Sequence, residues 1–127
     1  MAVIDSGLYS DLGRNFGPAR YITPLLDAIA AQAASADRSR SVDSDVIASI
    51  KRNDILKLSA SPELGGLDET MLQIGCELRE IAARCTSTGW CLWNHLCTFH
   101  HFAGLLGPAH TDFFKGIIER REWVCFP

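Results

Sequence analysis

No cluster of basic residues, no secretion signal and no glycine-rich phosphate motif occurs in this 127-residue sequence, and each absence excludes a class of function. The net charge is −3, and the basic residues are dispersed apart from Arg38/Arg40, Lys51/Arg52 and Arg120/Arg121. Such doublets read as solvated helix ends, so a dedicated nucleic-acid surface is not expected. Met1-Ala2-Val3-Ile4-Asp5 has neither the basic nor the long apolar part of a secretion signal. Gly-x-Gly-x-x-Gly, a Walker loop, Gly-x-Ser-x-Gly, His-Glu-x-x-His and Cys-x-x-Cys are all missing. The five cysteines, Cys76, Cys85, Cys91, Cys97 and Cys125, are an odd count without the spacing of a disulfide framework. Reduced, buried thiols and a cytoplasmic setting are the expectation.

What is present is helical periodicity. The length suits one domain with a real core, and 47% apolar residues is a globular fraction. Residues 1–21 carry glycines and scattered aromatics without a period and read as an irregular arm. Thr23-Pro24 predicts a helix start with threonine as N-cap, and Leu25, Leu26, Ile29, Ala30 and Ala33 form its apolar face. Asp37 to Ser44 is a polar link, and a second helix is predicted from Ser44 to Leu58, burying Val46, Ile47, Ile50 and Leu56.

Pro62-Glu63-Leu64-Gly65-Gly66-Leu67 predicts a tight connection, because proline disfavours helix at Ser61 and the glycines permit positive φ. A third helix, Asp68 to Arg84, follows with Leu67, Met71, Ile74, Leu78, Ile81 and Cys85 on one stripe and Glu77, Arg79, Glu80 and Arg84 off it. A fourth helix, Thr86 to Leu106, is apolar nearly all round and is expected at the centre, covered on several sides. It approaches the length of a membrane span, but Asn94, His95, Thr98, His100 and His101 make a buried core helix the better reading. Gly107-Pro108 stops it, and Thr111 to Arg121 is a last helix presenting Phe113, Phe114, Ile117 and Ile118. The expected fold is all-α, an orthogonal or up-down bundle of about five helices.

Cysteine and histidine crowd the fourth helix. Cys91/His95 and Cys97/His101 each have the i,i+4 spacing that can present two ligands. The two pairs point roughly 240° apart round the axis, so they cannot meet at one ion, and no metal is expected. Cys76 and Cys85 sit on or beside the buried stripe, where a small hydrophobe suffices. His95, read from the residues alone, is a core histidine bonded to a backbone carbonyl.

In order and spacing these elements resemble the amino-terminal helical domain of the acyl-CoA dehydrogenase superfamily. The resemblance runs from Thr23 to the end: helix pair, proline and double-glycine loop, charged helix, the small-residue turn Cys85-Thr86-Ser87, a hydrophobic helix with His95 eight residues past that serine, Gly107, then a short charged helix. It implies domains at 22–122, with 123–127 (Trp123-Val124-Cys125-Phe126) as a strand opening a β-domain that lies beyond the sequence. Ser87-Thr88-Gly89-Trp90 is similar to the flavin-dependent monooxygenase branch somewhat more than to the dehydrogenase branch.

The resemblance implies an oxidoreductase using FAD or FMN, a homo-oligomer such as a tetramer, and, in the hydroxylase branch, a partner flavin reductase. This chain alone would then be inactive and flavin-free. It also implies that His95 lines the substrate cavity, with His100 as second candidate; Trp90 and Trp93 are packing residues first and flavin-stacking candidates second. No catalytic base is assigned. The competing expectation is a stand-alone helical interaction module without catalytic activity, supported by the apolar fourth helix and the tail from Trp123 to Phe126.

Overall fold

The computed structural model describes residues 17–125; most of the expected amino-terminal arm lies outside them. Among the described residues five α-helices follow in order: α1 (Leu26–Ser39), α2 (Ser44–Arg52), α3 (Met71–Arg84), α4 (Thr86–Leu106) and α5 (Thr111–Glu119). Short 3-10 turns occupy Thr23–Leu25, Asp54–Lys57, Pro62–Leu64 and Pro108–His110. Among the described residues there is no strand, and no helix is long and apolar enough to cross a membrane.

The α3–α4 hairpin is the spine. One residue, Cys85, separates the helices, and Gly89 lets their backbones meet: a Cβ there would stand 3.1 Å from the Ala82 Cα. α1 packs against both helices of the hairpin. Ile22, Ile29, Ile50, Ile55, Leu58, Ile81 and Leu92 are fully enclosed in the main core. A smaller cluster of Ala60, Phe99, Phe114, Ile117 and Ile118 joins α5 to the far half of α4. Burial sets a graded expectation: Leu96→Ala, at an enclosed position, should cost on the order of 2–5 kcal/mol in urea denaturation, and half-buried Leu78→Ala clearly less. Equal losses would mean that the α4 core is not packed as described.

The structure corrects the sequence expectations at every helix. Thr23 is not the α1 N-cap: it sits in a 3-10 turn, its hydroxyl donates to the Ala19 carbonyl at 3.0 Å, and α1 begins three residues later. The inner face of α1 is Leu26, Ile29, Gln32 and Ala36, with Ala30 exposed. α2 stops at Arg52, because Asn53 turns extended (ψ 154°) and its side-chain oxygen caps the Asp54–Lys57 turn through the Ile55 N–H.

α3 starts at Met71, not Asp68, since the N–H groups of Leu67, Asp68 and Glu69 are spent on the carbonyls of Lys57, Ala60 and Leu58, and Thr70 caps the helix through the Gln73 N–H. Leu67 and Met71 are therefore exposed, while Glu77, read as lying off the apolar stripe, is fully buried. α4 has the expected bounds but not the expected cover, with Trp90, Trp93, Leu105 and Leu106 exposed. Residues 122–125 carry no strand, and α5 ends at Glu119 with Phe113 exposed.

Candidate functional site

Two candidate histidines lie five residues apart on α4 and face different surroundings. His95 is 0% exposed. Its Nε2 lies 3.0 Å from the Leu56 carbonyl oxygen, and its Nδ1 accepts the Val124 N–H at 3.0 Å. A carbonyl can only accept and an amide N–H only donate, so the ring is the neutral Nε2–H tautomer. Burial holds its pKa below the ordinary histidine value, although the bond to Leu56 works the other way. With both nitrogens occupied within the chain, the ring offers no free polar edge to a ligand.

His100 lies at the surface. Its Nδ1 sits 3.4 Å from the Ser59 carbonyl, and the ring lines a cleft of about 300 Å³ between the proline–glycine loop and the far end of α4. Ser61, Glu63 and Asp68 form one wall; Ala103, Gly104 and Thr111 belong to the opposite one. Beside the cleft, Gly66 passes directly over the lining residue Ala60: a Cβ on residue 66 would stand 2.0 Å from the Ala60 carbonyl oxygen. Gly65 takes the left-handed conformation (φ 85°) that ends the Pro62–Leu64 turn. Glu63 and Asp68 bring carboxylates to the lining, and no lysine or arginine does, so the cleft suits a ligand with hydrogen-bond donors and disfavours phosphate.

Trp90 and Trp93 stand at the surface rather than in the core. They are 63% and 44% exposed and stack on each other with centroids 5.2 Å apart and planes 27° apart. Neither tryptophan lines the His100 cleft. The cysteine–histidine pairs stay apart, and among the described residues no three His, Cys, Asp or Glu side chains converge as metal ligands. All five cysteines are free: Cys76 and Cys85 are buried, as expected, and Cys125 is exposed. Burial raises the Cys91 and Cys97 thiols. It also pushes Cys85 up, but hydrogen bonds with Thr88 and its neighbours at the start of α4 outweigh it and leave that thiol lowered.

Glu77 and Gln32, with their partners Gln73 and Thr88, are buried polar groups that hydrophobicity alone does not single out. Glu77 accepts the backbone N–H groups of Arg20, Tyr21 and Ile22, and the Gln73 Nε2 at 2.7 Å. Gln32 accepts the Asp43 N–H at 3.2 Å and donates to the Thr88 hydroxyl at 3.2 Å, tying α1 to the starts of α2 and α4. The available signal was spacing: Ile74-Glu77-Ile81 and Ile29-Gln32-Ala36 share the i, i+3, i+7 pattern of one inner face.

No family model, no curated protein and no solved structure matches the chain.

Proposed function

We propose that this chain is the amino-terminal helical domain of a flavin-dependent oxidoreductase of the acyl-CoA dehydrogenase superfamily, in its dehydrogenase or monooxygenase branch. One observation carries the reading: parts of the features that bear the resemblance and are remote in sequence, Glu63 and Leu64 of the proline–glycine loop, Gly107 and the alternative histidine His100, line a single cleft. In this reading His100, rather than His95, is the histidine that meets substrate, its Nδ1 turned to Ser59 and its Nε2 left to accept a hydrogen bond.

The His100 cleft does not fit a whole flavin. The cleft carries two carboxylates and no cation for a phosphate, and its volume is small for a dinucleotide. FAD or FMN would have to be held by other parts of the enzyme, from the same chain, from another copy in a homo-oligomer or delivered by a reductase. The purified 127-residue chain mixed with FAD or FMN should therefore emerge flavin-free from gel filtration. Stoichiometric retained flavin would contradict this division of labour.

The reading itself is tested on the protein as its own cell makes it. A tag placed ahead of Met1 in the native gene allows purification, release of any bound flavin by heat, and assay of electron-acceptor or oxygen reduction. Flavin content with redox turnover supports the reading, and a flavin-free, inactive product defeats it. The exposed Trp90, Trp93 and Leu105 favour the second reading, a helical interaction module. Its signature in the same preparation is a stoichiometric protein partner without flavin.

A further inference from the structure

We propose that His95 is a proton-operated latch: protonation of its Nδ1 unseats Val124 and lets the segment 122–125 leave α4, opening the apolar groove that Val124 helps to close. The geometry requires a neutral ring, because Nδ1 must offer a lone pair to the Val124 N–H at 3.0 Å. Once protonated, Nδ1–H faces another N–H, and two donors replace a hydrogen bond. The Nε2 bond to Leu56 survives protonation, so the ring stays anchored and the disruption falls on the segment.

That segment has other ties: the Glu122 N–H donates to the Ile117 carbonyl at 3.0 Å, and Trp123 packs against the main core. The Trp123 Nε1 donates to the Cys91 carbonyl at 3.3 Å, and its ring lies 5.8 Å from the imidazole at a 55° tilt. Val124 lines a groove of about 230 Å³ with Phe99, Phe102, Phe113 and Ile117, so its departure uncovers apolar surface between α4 and α5.

No charged side chain sets the protonation of this ring. On the Asp54–Lys57 turn, Asp54 and Lys57 pair with each other at 3.0 Å; beside the segment, Glu122 pairs with Arg120 at 2.7 Å and Arg121 donates to the Lys51 and Arg52 carbonyls; α4 and the segment also carry the free thiols of Cys91 and Cys125. Burial lowers the pKa of the closed form, so closure is fully favoured above the ordinary histidine value and weakens as pH falls below it. Between about 6.5 and the lowered value of the closed form, the closed-to-open ratio should fall about tenfold per pH unit.

The test uses a W90F/W93F background, in which Trp123 is the only tryptophan. Acrylamide quenching of Trp123 should rise along a one-proton curve as pH falls from about 8 to about 5, with helical circular dichroism unchanged. His95→Asn, whose Oδ1 offers Val124 an acceptor at every pH, should abolish the dependence. NMR on the unsubstituted chain covers the case in which that variant does not fold: the Val124 amide should lose protection in step with the His95 ring titration, while Ile118 keeps its own. A protected Val124 amide beside a protonated ring, helix loss at the same midpoint, or a pH response that persists in folded His95→Asn would each overturn the latch.

Discussion

Glu77→Ala is expected to be the most destabilising single substitution in this chain, by on the order of 3–5 kcal/mol. The carboxylate has 0% exposure and four donors around it, three of them the consecutive N–H groups of Arg20, Tyr21 and Ile22. A buried carboxylate without partners would be prohibitive; with them, its charge is spread over four donors, one of which, the Gln73 Nε2, also reaches the Pro18 carbonyl at 3.4 Å. Removing it leaves those donors facing a cavity, at about 1–3 kcal/mol for each that water cannot reach. Arg20 is exposed and can rehydrate, which limits the sum. Glu77→Gln keeps the volume but turns an amide donor toward other donors, so it should still cost about 2–3 kcal/mol. Glu80→Gln is the control: Glu80 pairs with Arg84 in a partly exposed i,i+4 bridge and should matter by less than about 1 kcal/mol. Urea midpoints at neutral pH, with an unchanged m-value, give all three numbers. If Glu77→Ala unfolds at the midpoint of Glu80→Gln, the carboxylate does not hold the entry to α1.

Helix existence was legible in this sequence because apolar spacing and punctuation agree. α4 has the bounds predicted from the Cys85-Thr86-Ser87 turn and Gly107-Pro108, since an abrupt turn and a proline leave little room for the ends to shift. Where polar residues sit on inner faces, the reading failed for one physical reason. Hydrophobicity places a charge outside unless its partners are known, and the partners of Glu77 come from a segment 55–57 residues away. The same limit put Trp90 and Trp93 inside: their apolar character is plain, but which side of α4 lacks a neighbour is a tertiary fact. A strand at Trp123–Phe126 fitted the pattern, yet strands need a pairing edge, and the Val124 N–H is spent on His95 instead. Of the candidate site, the loop and the histidines were legible as separate features. That His100 faces the loop and His95 the core follows from rotation about α4, which the resemblance alone could not fix.

Gly66→Ala is the second large expected effect, about 3 kcal/mol or more, with a melting temperature lower by on the order of 10 °C. The added Cβ would stand 2.0 Å from the Ala60 carbonyl oxygen, 2.3 Å from its carbon and 2.4 Å from the Ala60 Cβ. None of these is the tip of a flexible side chain, so the backbone must move. Movement is resisted on both sides of the contact: the Gly66 N–H is bonded to Ser61, and the Asp68 N–H to the same Ala60 carbonyl, each at 2.9 Å. Gly65→Ala next door separates conformational strain from steric exclusion. Its φ of +85° disfavours alanine, but the nearest atom is Ile118 Cγ2 at 3.6 Å, so the cost should stay near about 1–2 kcal/mol. Gly104→Ala, on the opposite wall of the cleft, meets nothing within 4 Å and lies in the interior of α4, where alanine should stabilise by up to about 1 kcal/mol. Thermal melts of the three variants should therefore rank Gly104→Ala above the parent, then Gly65→Ala, then Gly66→Ala. A Gly66→Ala chain as stable as Gly65→Ala would mean that the loop does not lie against Ala60, and the cleft that carries the proposed function would lose its wall.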